Sequence, residues 1–277
     1  MLLVCSRVQT RTEVVVAALA GGISLFWLLV PGDLPDQVLR TALVLTTSAF
    51  VAITLLGQMS FTHRALAAIG FATAALVLLF IAFGWSWDEL HWWVISRRSY
   101  ESSLAIAPLR SNPSTAAMAD EFARVLDRSV KFEADNYAAM LALKILAGLA
   151  LATALYQRLA SHPVGSGLGR FRDFRFSEHL GWGAAVPLII VLLPGLVRAK
   201  VVAFNLLLVT GALYALRGLA VAAFAVTLAG TGPVATALAI VAGFFMLPAV
   251  VGIGILLGVL DAGMDLRRRL NTPPARN

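Results

Sequence analysis

The residues from Val201 to Gly230 form an apolar stretch of about thirty, and this stretch limits most strongly what the chain can fold into. Within it, Arg217 is the only side chain that carries a formal charge. A helix needs about 20 apolar residues to cross the hydrocarbon core of a bilayer, so the stretch is long enough to span a membrane. An arginine within lipid is costly and normally faces a bundle interior or a polar cavity. The stretch therefore predicts a membrane-spanning segment with a polar contact inside the protein.

Composition and further apolar segments extend this prediction to the whole chain. The 277 residues are 59% hydrophobic and 13% charged, whereas a typical soluble domain is about 25% charged. The other apolar segments are Val14–Val30, Leu39–Gly57, Ala65–Phe83, Tyr137–Leu159, His179–Leu196 and Val234–Leu260. We therefore expect an all-α fold, a polytopic transmembrane helical bundle of about six to eight membrane segments, with the lipid bilayer as its surroundings.

The distribution of polar residues divides the chain into four predicted parts. Residues 1–84 hold the N-terminal transmembrane segments, and residues 85–136 form an extramembrane helical insert around the long polar region 88–136. Residues 137–270 form a C-terminal transmembrane bundle, and residues 271–277 are a polar tail.

The insert contains a strong signal for the start of a helix. Asn112-Pro113-Ser114 combines a capping side chain with a proline in the first turn, and neither Gly nor Pro follows before Gly148. We expect one continuous helix from Ser114 to Leu159 that is amphipathic at first and crosses the membrane from Tyr137. Its apolar face, which includes Met118, Phe122 and Val125, is expected to pack on residues 88–110 or on a second subunit.

Arginines at the ends of segments indicate the orientation. They occur at Arg7 and Arg11, at Arg170, Arg172 and Arg175, and at Arg267–Arg269. Each group favours the cytoplasmic side, yet seven simple spans would put the two termini on opposite sides. We therefore expect the 201–230 stretch to be broken near Arg217-Gly218, which places both termini in the cytoplasm and the insert outside. The Ala- and Arg-rich, Lys-poor composition suggests a GC-rich bacterial genome, and we expect a multi-pass protein of the bacterial inner membrane.

Several short motifs in the C-terminal part resemble those of a known family. They are Phe171–Phe176, Asn205–Leu207, Leu213-Tyr214, Gly218–Val221, Gly258–Asp261 and Asp265–Arg268. Together, over roughly residues 137–270, they resemble the YybS-like family of bacterial membrane proteins (domain of unknown function 2232). That family is distantly similar to the substrate-binding S-components of energy-coupling-factor vitamin transporters. The resemblance implies a bundle of about six helices with a ligand cavity, and the N-terminal part with its polar insert departs from the pattern.

Two cations within apolar segments, Arg217 and Lys144, are the main candidates for a ligand site. No acidic residue lies deep in a predicted span to pair with them. On a helix, Thr210, Tyr214 and Arg217 share one face, which suits an anionic group such as a carboxylate or phosphate. The structural alternative is that Arg217 reaches an interface or bonds helix carbonyls freed at Gly218. Asn205 either bridges helices by hydrogen bonds or contributes to the ligand site.

Other classes of site find little support in the sequence. The net charge of +7 is not gathered into a long basic face, so we expect no nucleic-acid partner. The single cysteine and four scattered histidines predict neither a disulfide nor a metal site, and no catalytic motif or cofactor motif indicates an enzyme.

Two hypotheses about function remain. The first is a transporter-like or small-molecule-binding membrane component. The second is an envelope scaffold that binds a protein partner, or a second copy of itself, through residues 88–136 and its basic C-terminus. In both hypotheses Asp261, Asp265 and Arg267–Arg269 follow the last span and either orient it or dock a partner.

Overall fold

A computed structural model describes residues 10–271, and the chain is all-helical over that range. The N-terminal part of the predicted basic leader and nearly all of the predicted polar tail lie outside it. The helices, numbered α1 to α11, are Arg11–Leu29, Leu34–Leu56, Phe61–Phe83, Trp87–Arg110, Ala116–Asp135, Tyr137–Leu159, Trp182–Leu192, Val197–Leu228, Pro233–Phe245, Leu247–Met264 and Leu266–Asn271. Two short 3-10 turns, Phe171–Asp173 and Glu178–Gly181, precede α7. The predicted all-α fold class is confirmed.

Six of these helices are long and apolar enough to cross a membrane: α1, α2, α3, α6, α8 and α10. This count lies within the predicted range of segments. The predicted span His179–Leu196 is wrong, because its helix covers only the eleven residues Trp182–Leu192. At 1.5 Å per residue α7 is about 16 Å long, roughly half the thickness of the hydrocarbon core.

Side-chain caps fix where the first helices begin. Thr10 and Glu13 form a capping box at the start of α1, since each side chain bonds the backbone N–H of the other residue. Asp33, Ser60 and Ser86 cap α2, α3 and α4 by a single hydrogen bond, each side chain accepting from the backbone N–H three residues later. These polar caps satisfy N–H groups that a helix end otherwise leaves without partners.

The chain forms two compact units, residues 1–167 and 168–277. In the first unit α2 packs on α3 and α6, and α4 packs on α5. In the second unit α8 packs on α7 and α10, and the turn at Phe171–Asp173 also contacts α8. The division that we expected at residue 137 is therefore not the one observed, because α6 packs within the first unit.

The continuous helix expected from Ser114 to Leu159 is wrong, since it is interrupted at Asn136. This buried residue has φ −119° and ψ 28°, and its Nδ2 donates to the carbonyl oxygen of Phe132 over 2.9 Å. Asparagine competes for backbone groups in this way and so favours helix ends over helix interiors. The amphipathic α5 therefore ends where the membrane-crossing α6 begins.

The apolar face predicted for α5 also differs from the one that packs. Ala119, Val130 and Ala134 are its buried residues. Met118, Phe122 and Val125 instead remain exposed, by 67%, 44% and 53%. The face of α5 that packs is therefore built from two alanines and Val130, and Met118, Phe122 and Val125 do not belong to it.

The break expected near Arg217-Gly218 is wrong as well. Helix α8 runs without interruption through all 32 residues of Val197–Leu228. The predicted span Val234–Leu260 is the one that is divided, at Met246, which has φ −103° and ψ 28°. Pro248 follows in the first turn of α10, where its missing N–H is tolerated but where α9 cannot continue.

Candidate functional site

Helices α8 and α10 touch through glycines. A Cβ on Gly218 would collide with the backbone of Gly254, and a Cβ on Gly258 would collide with the carbonyl oxygen of Tyr214. The absence of side chains lets the two backbones come into contact, as small residues commonly allow in membrane helices. This contact brings the polar residues that neighbour the glycines, Arg217 and Asp261, within reach of each other.

Arg217 is buried and pairs with an acid of the neighbouring helix. Its Nε donates to Oδ2 of Asp261 over 2.8 Å, and its Nη2 donates to the backbone carbonyl oxygen of Asp261 over 3.1 Å. Asp261 lies inside α10 and is 1% exposed. The expectation that no acidic residue lies deep in a span to pair with Arg217 is therefore wrong, and Asp261 does not follow the last span.

A second arginine completes the cluster. Arg267, which is also buried, donates from Nη2 to Oδ2 of Asp261 over 2.7 Å. Its guanidinium donates as well to the carbonyl oxygens of Arg172 and Phe174, over 2.9 and 3.0 Å. Asp261 thus joins α8, α11 and the loop that precedes α7 in one network of charge-assisted hydrogen bonds.

The other residues predicted beside Arg217 are buried with it. Thr210 donates its hydroxyl to the carbonyl oxygen of Leu206 over 2.8 Å. The ring of Tyr214 stands edge-on to Phe176 with centroids 5.1 Å apart, and the Arg217 guanidinium lies 5.2 Å from the same Phe176 ring. Asn205, which lies earlier in α8 and is only partly buried, donates from Nδ2 to the carbonyl oxygen of Val201 over 2.9 Å.

This arrangement favours the structural interpretation of Arg217. The position that an anionic ligand would occupy is already filled by the carboxylate of Asp261. A buried arginine whose hydrogen bonds go to a neighbouring helix holds that helix in place, because leaving the charge unpaired within the protein would be strongly unfavourable. Arg217 does bond a helix carbonyl, but that carbonyl belongs to Asp261 of α10, and α8 has no break at Gly218 that would free carbonyls of its own.

Lys144, the other predicted cation, belongs to the first unit and is also paired. Its Nζ lies 2.7 Å from Oε1 of Glu133 in α5, and the Lys144 side chain is more than half exposed. Glu133 lies in the polar insert, eleven residues before Lys144. This spacing does not correspond to neighbouring positions on one helix, so the sequence did not predict the contact. Lys144 and Glu133 connect the amphipathic helix to the helix that crosses the membrane.

The Lys144–Glu133 pair is the end of a longer ion network. Arg98 pairs with Glu133 and Glu101, at 3.2 and 2.7 Å, and Arg97 pairs with Glu101 at 3.3 Å. Arg97 also pairs with two acids at the start of α2, Asp33 and Asp36. The network therefore joins α2, α4, α5 and α6.

The network shifts the protonation of its members. Hydrogen bonds from Arg98 and Arg97 lower the pKa of Glu101. Burial opposes ionisation of Glu133, but the hydrogen bond from Lys144 and the charge of Arg98 outweigh it, so the pKa of Glu133 is also lowered. The carboxylates of Asp36 and Asp33 raise the pKa of Arg97 in turn, chiefly through the hydrogen bond to Asp36.

An apolar cavity of about 290 Å³ lies between α2, α3 and α6 in the first unit, with Trp87 and Leu90 of α4 also in its wall. Its walls are almost entirely hydrocarbon, and residues from each helix line it, among them Val38, Ala72 and Ile145. A smaller cavity of about 150 Å³ adjoins it and is lined by the ion network. Tyr137 and Leu141 line both cavities, so the apolar space and the charged space meet at these two residues.

The structure shows two further buried charges that the sequence analysis missed, Arg64 and Glu13. Arg64 is 1% exposed and donates to Thr54 Oγ1 over 3.1 Å and to the backbone and side chain of Ser166. Glu13 accepts hydrogen bonds from the backbone N–H and hydroxyl of Ser161. Both bind the loop after α6. Their positions at helix starts resemble ordinary surface positions, so the sequence alone gave no sign of their burial.

Comparison with known protein families matches residues 3–262 to the family described as "Predicted membrane protein (DUF2232)". The match is broader than the motifs of residues 137–270 indicate, since it includes the N-terminal helices and the polar insert. No curated protein and no solved structure matches the chain. Because the match covers nearly all of the sequence, the chain belongs to the DUF2232 family of predicted membrane proteins.

Proposed function

We propose that the protein is a small-molecule-binding component of the bacterial inner membrane, transporter-like in character, which holds the apolar part of its ligand between α2, α3 and α6. The observation that carries this proposal is the cavity of about 290 Å³ between those three helices. All three are among the helices long and apolar enough to span a membrane. A ligand would therefore enter from, or be shielded by, the lipid phase.

The size and lining of the cavity support this proposal. Small-molecule sites occupy about 300–1,000 Å³ and are mostly apolar with a few polar groups. Dry apolar cavities of about 150 Å³ already bind molecules as large as benzene. The cavity here is about twice that volume and is lined chiefly by aliphatic and aromatic side chains such as Leu76, Phe80 and Trp87.

The adjoining charged cavity indicates that the ligand is an amphiphile. Tyr137 and Leu141 separate hydrocarbon walls on one side from Arg97, Arg98 and Lys144 with their acidic partners on the other. A molecule with an apolar body and a polar end would match both environments at once. Membrane lipids and lipid-soluble cofactors share this chemistry.

A matched pair of variants tests the proposal. Ala142 lines the cavity, and Ala142→Phe should fill much of the space. Ala147 lies on the same helix but is exposed, so Ala147→Phe adds the same ring outside the cavity. The melting temperature of each protein would be measured in detergent against a panel of amphiphiles of increasing chain length.

A ligand that binds the folded state raises the melting temperature as its concentration exceeds the dissociation constant. The parent and Ala147→Phe proteins should show this stabilisation with at least one amphiphile, and the Ala142→Phe protein should lose it. Equal responses of all three proteins would contradict the cavity as the binding site.

A second candidate function is the envelope scaffold, which is supported by the outward face of α5. Met118, Phe122, Val125 and Phe132 lie on that helix at spacings of three, four and seven residues, and all are exposed. Such a face on an extramembrane helix suits a partner helix. Phe122→Ser should reduce the mass of the purified particle if the partner is a second copy of the chain. An unchanged particle mass together with unchanged partner recovery would contradict the scaffold function.

A further inference from the structure

Thr46 is a polar residue in the wall of the apolar cavity. It lies in the middle of α2, it is 1% exposed, and it lines the cavity between α2, α3 and α6. Its hydroxyl has no hydrogen-bond partner in the structure. A buried hydroxyl that makes no hydrogen bond destabilises a protein, so its position calls for a physical reason.

Neighbouring threonines show that the missing bond is specific to this position. Thr47 and Thr54 lie on the same helix, and each donates to the carbonyl oxygen four residues earlier, over 2.6 Å. This bond is the usual way for a threonine within a helix to satisfy its hydroxyl. The hydroxyl of Thr46 is not committed to a carbonyl, and Thr46 is one of the residues that line the cavity.

The other hydroxyl groups in the wall of the cavity are already used. Thr73 donates to the carbonyl oxygen of Ile69 over 2.9 Å. Tyr137 donates to the carbonyl oxygen of Pro35 over 3.4 Å. Among the hydroxyl-bearing residues that line the cavity, Thr46 is therefore the one whose hydroxyl has no hydrogen-bond partner.

We propose that Thr46 determines specificity by forming a hydrogen bond with a hydroxyl or carbonyl oxygen on an otherwise apolar ligand. The inference rests on the proposed function, because it assigns the ligand to the same cavity. A threonine hydroxyl can donate to a carbonyl or accept from a hydroxyl, so either group satisfies it. The cavity thus takes oxygen-bearing hydrophobic molecules in preference to pure hydrocarbons of equal shape.

The position of Thr46 along α2 separates this contact from the ion network. Thr46 follows Asp36 by ten residues, which corresponds to about 15 Å along a helix. The oxygen that Thr46 binds is therefore a group within the ligand body, distinct from any polar end that reaches Arg97 or Lys144. A ligand with polar groups at both places would satisfy the whole site.

Two probes of nearly equal shape test the inference, 2-naphthol and 2-methylnaphthalene. Their apparent dissociation constants would be obtained from the rise in melting temperature with probe concentration in one detergent. Thr46→Val keeps the shape of the side chain and removes the hydroxyl. We expect this variant to bind 2-naphthol about tenfold more weakly, as the loss of one hydrogen bond predicts, and to bind 2-methylnaphthalene as the parent does.

Thr73→Val is the matched control, because Thr73 lines the same cavity but its hydroxyl is bonded to Ile69. It should leave the ratio of the two dissociation constants unchanged. Without a probe, Thr46→Val should melt at the same temperature as the parent or higher, since it removes an unpaired hydroxyl.

The outcomes separate the two proposals. Suppose that Ala142→Phe abolishes the binding of both probes but Thr46→Val weakens neither, or weakens both equally. The role of Thr46 is then overturned and the cavity remains the ligand site. If the panel of amphiphiles stabilises the parent but neither naphthalene probe does, the inference alone is overturned. Suppose instead that neither the probes nor the panel stabilises the parent, or that Ala142→Phe leaves their binding intact. The proposed function then fails, and the inference fails with it.

Discussion

Arg217 holds Asp261 by two hydrogen bonds, one to the side chain over 2.8 Å and one to the backbone carbonyl over 3.1 Å. The two residues belong to α8 and α10, and both side chains are buried. A charge that would be costly in lipid is therefore matched within the protein. The pair fixes the position of one helix against the other. Each side chain supplies the counter-charge of the other, so neither needs an external ion.

Removing the acid should be more damaging than removing this arginine. Asp261→Asn leaves Arg217 and Arg267 buried without a counter-charge, and breaking a buried pair in this way costs about 3–5 kcal/mol of unfolding free energy. Arg217→Leu leaves Asp261 paired with Arg267 and should cost less, about 1–3 kcal/mol, because hydrogen bonds to a charged group are lost. Unfolding in mixed detergent micelles, followed by circular dichroism, measures both.

Arg175→Leu provides the comparison for these variants. Arg175 and Asp265 form an ion pair at 2.9 Å, but both side chains are more than 40% exposed. Such pairs contribute about 0–1 kcal/mol. A loss of stability in Arg175→Leu as large as that in Asp261→Asn would contradict the special role of the buried cluster.

The glycine contact between α8 and α10 gives a second prediction. Gly218→Ala places a methyl group against the backbone of Gly254, which cannot move aside as a side chain can. We expect a loss of about 1–3 kcal/mol, the usual cost of overpacking. Gly252→Ala on α10 is the control, because nothing lies within 4 Å of the added Cβ. It should be neutral or slightly stabilising, and thermal unfolding in detergent would compare the two.

The ion network of the first unit should make its stability depend on pH on the acid side. The pKa values of Glu101 and Glu133 are lowered in the folded protein, so their ionised forms favour folding. Their contribution is fully present above the unfolded pKa of about 4.3 and is lost as the pH falls through the lower folded values. The pKa values of Arg97 and Arg98 are raised, so both stay protonated throughout this range.

The measurement is the melting temperature of the parent, Glu133→Gln and Glu121→Gln proteins between pH 7 and pH 3.5. The melting temperature of the parent should stay constant down to about pH 5 and then fall. The melting temperature of Glu133→Gln should be lower at pH 7 and should fall less steeply with pH. Glu121 is exposed and lies outside the network, so Glu121→Gln should follow the parent. A parent and a Glu133→Gln protein with the same pH profile would show that the network does not contribute.

The orientation remains a prediction that cysteine labelling can check. After replacement of Cys5, single cysteines would be placed at Ala105 in α4 and at Leu168, both exposed positions, and near residue 272. A membrane-impermeant reagent applied to intact cells should label the first and spare the other two. Labelling near residue 272 from outside would place the C-terminal end on the outer side and contradict cytoplasmic termini.

Composition and periodicity were sufficient to predict the helical membrane fold and most of the long spans. The positions at which helices end within these apolar stretches were predicted less accurately. We expected Gly218 to interrupt its helix, but it is the residue at which α8 contacts α10. Its role depends on Gly254, which lies in a distant segment of the chain. Asn136 and Met246 end helices through local backbone geometry within stretches whose helical pattern continues across them.

The candidate site was predicted only in part. The shared face of Thr210, Tyr214 and Arg217 follows from helical spacing alone, and these three residues are indeed buried together. Their acidic partner was missed because Asp261 lies near the end of an apolar segment, where an acid ordinarily faces solvent. The cavity and the unbonded hydroxyl of Thr46 depend on how α2, α3, α4 and α6 pack together, and the sequence of a single helix does not predict that packing.

The direct backbone contact between α8 and α10 affects how the protein behaves when detergent extracts it from the membrane. Helices that associate because apolar surface is removed from water associate more weakly in detergent, since detergent molecules can cover that apolar surface instead. Contacts between backbones at Gly218, Gly254 and Gly258 leave no room for an acyl chain to enter. Dispersion and weak Cα–H···O contacts of this kind are equally available in lipid and in a micelle. This helix pair should therefore survive solubilisation as one body, and harsher detergents should separate other contacts before they separate this one.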